Sequence, residues 1–195
     1  MADYITLVNG LSGVMSIFSS LNYCLGPSTS HGYIYAAMAW IALGTFADVM
    51  DGKVARWRHK SSLVGQELDS LADLVSFGVA PAVVGFSIGM RSMLDMIVLT
   101  FFVMCGLTRL ARFNVTVGKM KKDKTGKIAK FEGTPIPTSL LMVEVMAFWV
   151  YKDWILTEVP FGSINVGPLD FHPATLFFAL LGCTMASKSL KIPKL

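Results

Sequence analysis

Six long apolar stretches, separated by polar breaks or breaks that contain Gly and Pro, constrain this chain more than any other feature of its sequence. A helix needs about 20 predominantly apolar residues to cross the hydrocarbon core of a bilayer. With 53% hydrophobic and only 15% charged residues among 195, the chain has more apolar surface than a soluble domain of this size can bury. The sequence therefore predicts an all-α integral membrane bundle of six transmembrane helices, formed by a single domain over residues 1–195. The predicted spans are Ile5–Leu25, Tyr33–Asp51, Leu68–Met90, Met93–Phe113, Pro137–Ile155 and Phe171–Ser187.

The first stretch, Ile5–Leu25, is weakly apolar because polar residues recur along it. Polar side chains inside a bilayer face other helices or a polar cavity. We therefore expect this helix to turn its polar side toward the rest of the protein. Thr6 and Asn9 are expected either to form hydrogen bonds between helices or to reach a bound ligand. The polar residues that dilute the stretch are Asn9, Ser12, Ser16, Ser19 and Asn22.

The basic residues indicate how the chain is oriented. They cluster after the second, fourth and sixth spans, whereas the intervening loops hold only Arg91 and Lys152. Cytoplasmic loops of membrane proteins carry the excess of Lys and Arg, so both termini are predicted to lie in the cytoplasm. The run from Lys119 to Lys130 is interpreted as a solvated loop, with a site for anionic lipid headgroups as the alternative. The clusters comprise Arg56, Arg58, Lys60, Lys119, Lys121, Lys122, Lys124, Lys127, Lys130, Lys188, Lys191 and Lys194.

Four aspartates stand out because each lies inside or at the end of a predicted span. An ionised carboxylate in that position is costly unless it is paired or bound to a metal. Asp48 and Asp51 are three residues apart, and Asp69 and Asp73 are four apart, so each pair shares one helix face. The short loop between the two spans lets the pairs face each other near the cytoplasmic surface. Such an all-oxygen cluster suits Mg²⁺ or Mn²⁺; the alternative is that the carboxylates cap helices or pair with nearby arginines.

The spacing of the aspartates is more informative than either pair alone. The stretch DVMDGKVARWRHKSSLVGQELDSLAD fits D-x2-D-G-x2-A-R-x8-G-x3-D-x3-D at all eight fixed positions. At ordinary residue frequencies such a match does not arise by chance in a chain of this length. The pattern is the signature of the CDP-alcohol phosphotransferases, and the chain resembles that family from end to end, six spans included.

The other fixed positions suit a bound nucleotide diphosphate. Gly52 and Ala55 lie on or next to the carboxylate face, where small side chains let a flat nucleotide approach the helix backbone. Arg56 can fork onto a diphosphate. Gly65 begins the third span, where the helix dipole favours an anion.

The resemblance implies a role for each of these residues. It implies that two divalent ions, Mn²⁺ or Mg²⁺, bridge the diphosphate of a CDP-activated lipid, and that Asp73 is also the general base. The implied metal ligands are Asp48, Asp51, Asp69 and Asp73. The implied CDP-diacylglycerol site comprises Gly52, Ala55, Arg56, Gly65 and Asn9.

The signature leaves the acceptor alcohol open. Three further blocks, HKSSLVGQELDSLADLVSFGVAPA, GLTRLARFNV and FEGTPIPTS, resemble the branch of the family that uses L-serine, in its fungal, endoplasmic-reticulum form. Arg109, Arg112 and Phe113 occupy one turn at the cytoplasmic end of the fourth span, where an arginine needs an anionic partner such as the serine carboxylate. These three residues are therefore assigned to the serine site. The alternative is that the arginines reach lipid headgroups or pair with Glu67 or Glu144.

Other acceptors and other functions stay open at this point. Glycerol 3-phosphate, inositol or inositol phosphate are alternative acceptors, because a phosphate suits the same arginines. Thr134 opens the fifth span and either borders the acceptor pocket or belongs to a plain helix start. A divalent-cation transporter is a further alternative, although a conduction path needs polar residues through the whole membrane and these carboxylates crowd one end of two spans.

The resemblance also implies partners and a location. The expected partners are CDP-diacylglycerol, L-serine, membrane lipids and a second copy of the chain in a homodimer, with no nucleic acid. The polar active site is expected to face the cytoplasm, at the endoplasmic reticulum membrane.

Overall fold

The structure is a computed structural model that describes residues 2–26, 31–58, 63–120, 131–166, 169–187 and 191–192. The lysines at 60, 121–130, 188 and 194 lie outside the described residues, as do the side chains of Ala55, Arg56 and Arg58. Interpretations that depend on those groups therefore stay predictions.

Helices make up most of the described chain. They are α1 (Ala2–Leu25), α2 (Gly32–Arg58), α3 (Leu63–Asp73), α4 (Ala80–Ser87), α5 (Met93–Met120), α6 (Ser139–Tyr151) and α7 (Leu176–Ala186). Short 3₁₀ turns, Ile136–Thr138 and Pro173–Thr175, precede α6 and α7. The strands are β1 (Phe131–Glu132), β2 (Ile164–Val166), β3 (Leu169–Phe171) and β4 (Lys191–Ile192), paired antiparallel as β1 with β4 and β2 with β3. The all-α prediction is confirmed, with these two small ladders added at the helix ends.

A π-helical segment, Leu74–Val79, joins α3 to α4 into one continuous rod. Pro81 lies in the first turn of α4; it has no N–H to donate, and its ring crowds the carbonyl four residues earlier. The wider π turn accommodates that defect without breaking the rod. The rod therefore stays long enough to cross a bilayer and carries Asp69 and Asp73 near its start.

Within the residues that the structure describes, four helical segments are long and apolar enough to span a membrane: Tyr4–Leu25, Gly32–Val54, Val64–Ser87 and Met93–Val115. Ile136–Tyr151 and Pro173–Ala186 are apolar but shorter. Each of the six predicted stretches overlaps one of these helical segments, and the four long ones support an integral membrane protein. The count of six spans stays a prediction, because the last two helices are shorter than a span requires. Large apolar side chains cover the outer faces, as lipid contact requires; they include Phe18, Phe46, Leu71, Ile97, Met104, Leu141 and Leu180.

Helix α1 packs closely against both α2 and the α3–α4 rod. Its polar residues Asn9, Ser12 and Ser16 are fully buried, which confirms the expectation that its polar side faces the protein. Close approach depends on glycine: a Cβ at Gly13 would lie 2.6 Å from Ser76 Oγ, and one at Gly44 would lie 3.0 Å from Asn9 Oδ1. Helix α1 thus packs against both of the helices, α2 and α3, on which the four aspartates lie.

A buried carboxylate, that of Asp95, joins two segments at the end of the bundle opposite the four aspartates. Asp95 Oδ2 accepts a hydrogen bond from the Ser92 backbone N–H at 3.1 Å, and the Ser92 hydroxyl accepts one from the Asp95 N–H, as in a capping box. His172 contributes its backbone N–H to Asp95 Oδ1 and its ring Nδ1 contacts Oδ2 at 2.6 Å. This contact ties the segment before α7 to the start of α5.

Candidate active site

Three of the four predicted metal ligands converge. Asp48 and Asp51 on α2 and Asp69 on α3 each offer one carboxylate oxygen, and these oxygens lie within 4.8 Å of one another. Asp51 is buried, and Asp48 and Asp69 are half-buried. Since the three come from two helices, this convergence is a property of the tertiary packing and not of either helix alone.

The donor chemistry of this cluster fits a hard divalent cation. All three groups are carboxylates, the ligands that Mg²⁺ and Mn²⁺ prefer. Asp69 Oδ1 is buried and receives no hydrogen bond from any part of the chain that the structure describes. A buried carboxylate oxygen without a donor is costly, and a bound cation would compensate that cost.

Asp73 lies one turn deeper than Asp69 on α3 and is half-buried. Its carboxylate is near enough to Asp48 and Asp69 to interact with their charges. Asp73 Oδ1 accepts a hydrogen bond from Asn9 Nδ2 at 3.0 Å. The fourth aspartate therefore borders the cluster and is held from the side of α1.

The predicted nucleotide residues lie around this cluster to the extent that they are described. Gly52 directly follows Asp51 on α2, and Gly65 lies in the first turn of α3. Ala55 and Arg56 lie on the next turn of α2, but their side chains are outside the described residues. Asn9 is fully buried and donates to Asp73, so its predicted contact with the nucleotide stays a prediction.

The predicted acceptor residues lie on α5, across from α3. The Arg109 guanidinium lies 5.8 Å from the centre of the Phe113 ring, and the charge of Asp73 acts on it. Arg109 Nε is buried and has no hydrogen-bond acceptor in the described ranges. Arg112 instead donates to the Ala186 carbonyl at 3.2 Å, joining α5 to α7. Arg109 is thus near enough to Asp73 for their charges to interact.

The carboxylates considered as alternative partners of these arginines are engaged elsewhere or point outward. Glu67 Oε2 accepts a hydrogen bond from Asn114 Nδ2 at 2.9 Å, and Asn114 Oδ1 accepts one from Ser70 at 3.0 Å. Glu144 is exposed on the outer face of α6. The Glu67–Asn114–Ser70 chain connects α3 to α5 near the aspartates, and sequence analysis did not identify it.

Thr134, considered for the acceptor pocket, contacts α7. Its backbone N–H donates to the Thr184 carbonyl at 3.3 Å, and the two hydroxyl oxygens are 3.2 Å apart. Gly133 before it has φ +79, and a Cβ there would lie 2.5 Å from the Met185 carbonyl oxygen. The segment before α6 is therefore packed against the end of α7.

Sequence analysis gave Thr6 no specific partner. Thr6 Oγ1 donates to Asp51 Oδ2 at 2.7 Å, and both groups are buried. The available signal was the spacing: Thr6 and Asn9 are three residues apart, on one face of a helix whose polar side was expected to be buried. Their particular partners depend on how α1 aligns with α2 and α3.

Comparison with known proteins agrees with this geometry. Residues 1–164 match the family model described as CDP-alcohol phosphatidyltransferase. A CDP-diacylglycerol–serine O-phosphatidyltransferase of Saccharomyces cerevisiae is 55% identical over 196 residues, which cover 100% of this chain and 70% of the relative. A protein of the same name from Bacillus subtilis is 32% identical, covering 74% of this chain and 73% of its own length. An archaetidylserine synthase of Methanothermobacter thermautotrophicus is also 32% identical, covering 73% of this chain and 55% of its own.

Proposed function

Because the chain belongs to the CDP-alcohol phosphatidyltransferase family, we propose that it transfers a phosphatidyl group from CDP-diacylglycerol to L-serine and releases CMP. The family match confirms the resemblance that the aspartate spacing indicated. The main observation behind the proposal is the convergence of Asp48, Asp51 and Asp69 within 4.8 Å. It occurs in a chain that is 55% identical to the CDP-diacylglycerol–serine O-phosphatidyltransferase of Saccharomyces cerevisiae.

Divalent metal ions fit this cluster, and Asp48, Asp51 and Asp69 would hold them, with Asp73 at the border. We assign two ions, Mn²⁺ or Mg²⁺, on the basis of the family resemblance. When bound, such ions neutralise the diphosphate and make CMP a better leaving group. The orphaned oxygen of Asp69 supports this assignment.

Around the cluster, the chain's own residues bind the nucleotide. Gly52 and Ala55 leave room for it beside α2, Arg56 contacts the diphosphate, and Gly65 places the start of α3 toward its negative charge. Asn9 belongs to the same region through its hydrogen bond to Asp73.

The acceptor is bound from α5. Arg109 pairs with the carboxylate of serine, Phe113 forms an apolar wall beside it, and Arg112 holds the same turn of α5 against α7. Asp73 removes the proton from the serine hydroxyl as its oxygen bonds to the phosphorus. The phosphorus–oxygen bond to CMP breaks in the same step, so the configuration at phosphorus inverts. Helices α3 and α5, which carry Asp73 and Arg109, pack against each other. This packing supports the placement, because the base and the partner of the serine carboxylate can then reach one substrate.

The membrane setting is proposed in finer detail from the charge pattern and the family resemblance. We assign six spans with both termini and the active site on the cytoplasmic side, at the endoplasmic reticulum membrane. A homodimer is part of the proposal. The exposed Glu144 on the outer face of α6 supports it, since a second copy covering that face would shield the carboxylate from lipid.

A panel of acceptors tests the function. Purified protein receives CDP-diacylglycerol, Mn²⁺ and one of L-serine, glycerol 3-phosphate, inositol or inositol phosphate, and CMP release is measured. We expect release with serine alone. Release of CMP with a phosphate-bearing acceptor and none with serine would show that the chain has the activity of a sister enzyme. That result would refute serine as the acceptor.

A further inference from the structure

Two hydrogen bonds connect α1 to the aspartates, one to each helix of the cluster. Thr6 Oγ1 donates to Asp51 Oδ2 at 2.7 Å, on α2. Asn9 Nδ2 donates to Asp73 Oδ1 at 3.0 Å, on α3. Among the side chains of α1 that the structure describes, from Tyr4 to Leu25, none is a carboxylate. These two hydrogen bonds therefore reach the cluster from a neighbouring helix.

The donors have little freedom to move. Thr6 is 4% exposed and Asn9 is 0% exposed. The Asn9 carbonyl accepts a hydrogen bond from Ser76 Oγ at 2.8 Å, just beyond Asp73 on the same rod. On the other side, Gly44 leaves room for the Asn9 amide, since a Cβ there would approach Asn9 Oδ1 to 3.0 Å. The amide is thus enclosed between α2 and the α3–α4 rod.

Each bond engages one oxygen of its carboxylate. At Asp51 the occupied oxygen is Oδ2, and at Asp73 it is Oδ1. A carboxylate that is hydrogen-bonded from outside keeps one rotamer, and loss of such support costs about 10- to 100-fold in metal affinity or activity at metal sites in general.

From this geometry we infer that Thr6 and Asn9 are positioning residues: Thr6 orients Asp51 as a ligand for a divalent cation, and Asn9 orients Asp73 toward the acceptor hydroxyl. The Asn9 part rests on the proposed function, whereas the Thr6 part requires only that the cluster binds a cation. The two residues act through the aspartates and do not touch the reacting atoms.

The test uses matched variants of the full chain. Thr6→Val keeps the shape but removes the donor, and Thr6→Ser keeps the donor. Asn9→Leu replaces the amide with an apolar group of similar size. Ser16→Ala is the control, because Ser16 is fully buried on α1 and makes no hydrogen bond through its side chain to any described residue. Thr6→Ala replaces Thr6→Val if the latter does not fold.

Two readouts separate positioning from packing. The first is the rise in melting temperature on titration with Mn²⁺ alone, without substrates. We expect Thr6→Val to need about 10- to 100-fold more Mn²⁺, and Thr6→Ser and Ser16→Ala to match the unmodified chain. The second is steady-state transfer, where Asn9→Leu should lower kcat by about tenfold or more while the KM for CDP-diacylglycerol stays unchanged.

Each result supports or overturns the inference. If Thr6→Val and Ser16→Ala need the same Mn²⁺ concentration to raise the melting temperature, Thr6 does not position a metal ligand. If Asn9→Leu lowers only the metal-free melting temperature and leaves kcat intact, Asn9 merely joins helices. If the unmodified chain makes no phosphatidylserine but Mn²⁺ binding weakens in Thr6→Val, the proposed function fails while the role of Thr6 stands.

Discussion

The guanidinium of Arg109 lies over the ring of Phe113, 5.8 Å from its centre, one helical turn away on α5. The same guanidinium is within reach of the charge of Asp73 on α3. A guanidinium that lies over an aromatic ring is restricted in orientation before substrate arrives. In our account the substrate carboxylate completes its set of partners.

Arg109→Ala should therefore raise the KM for serine by about 10- to 100-fold, the loss of one charge-assisted contact, with little change in the KM for CDP-diacylglycerol. Steady-state kinetics with each substrate varied in turn measure both constants. Lys152→Ala is the control, since Lys152 is an exposed cation at the far end of α6. A rise in the lipid KM alone would move the acceptor pocket away from α5, toward Thr134.

Arg56→Lys should weaken the binding of CDP-diacylglycerol, although the positive charge at this position is kept. A lysine cannot reproduce the two-pronged contact of a guanidinium with a diphosphate. We expect kcat/KM for the lipid to fall by about tenfold while the KM for serine holds. An unchanged kcat/KM would mean that Arg56 serves only the orientation of the chain in the membrane.

Asp73→Asn should separate binding from chemistry. The amide cannot accept the serine proton, so transfer should be lost while CDP-diacylglycerol still binds, as measured by retention of labelled lipid on the purified variant. With the unmodified chain, a substrate chiral at a thiophosphate should give inverted product. Retained configuration, or exchange of CMP into the lipid without serine, would require a covalent intermediate instead.

Gly13→Ala should destabilise the bundle. Its Cβ would lie 2.6 Å from Ser76 Oγ and 2.9 Å from the Ser76 backbone nitrogen, so α1 must move away from the rod, at a cost of about 1–3 kcal/mol. Thermal unfolding in detergent measures the loss. Gly32→Ala is the matched control, because nothing lies within 4 Å of a Cβ there. Equal melting temperatures for the two variants would show that α1 does not pack at Gly13 as described.

Sequence patterns predicted much of this molecule because they report on local chemistry. The polar dilution of the first span predicted a buried polar face, and Asn9, Ser12 and Ser16 are fully buried. The spacing of the aspartates placed each pair on one helix face, and the structure brings Asp48, Asp51 and Asp69 together.

The remaining features depend on contacts between distant parts of the chain. The bond from Thr6 to Asp51 joins residues 45 positions apart, and that from Asn9 to Asp73 joins residues 64 apart. The register between helices that creates them is set by packing at Gly13 and Gly44, which a single sequence does not reveal. The contact of Asp95 with His172 spans 77 positions and was not predicted for the same reason.

The most direct test of the whole account measures two products of one reaction that contains labelled L-serine, CDP-diacylglycerol and Mn²⁺. These are the label incorporated into lipid and the CMP released into solution. The test compares the unmodified chain with Asp69→Asn, an amide being a poor ligand for a hard cation. Asp153→Asn is the control, because Asp153 is exposed and has φ +58, a backbone region that Asn tolerates. We predict equal amounts of phosphatidylserine and CMP from the unmodified chain and the control, and a fall to about 1% or less in Asp69→Asn. Labelled phosphatidylserine formed by Asp69→Asn at the unmodified rate, or CMP released without labelled lipid, would contradict the account.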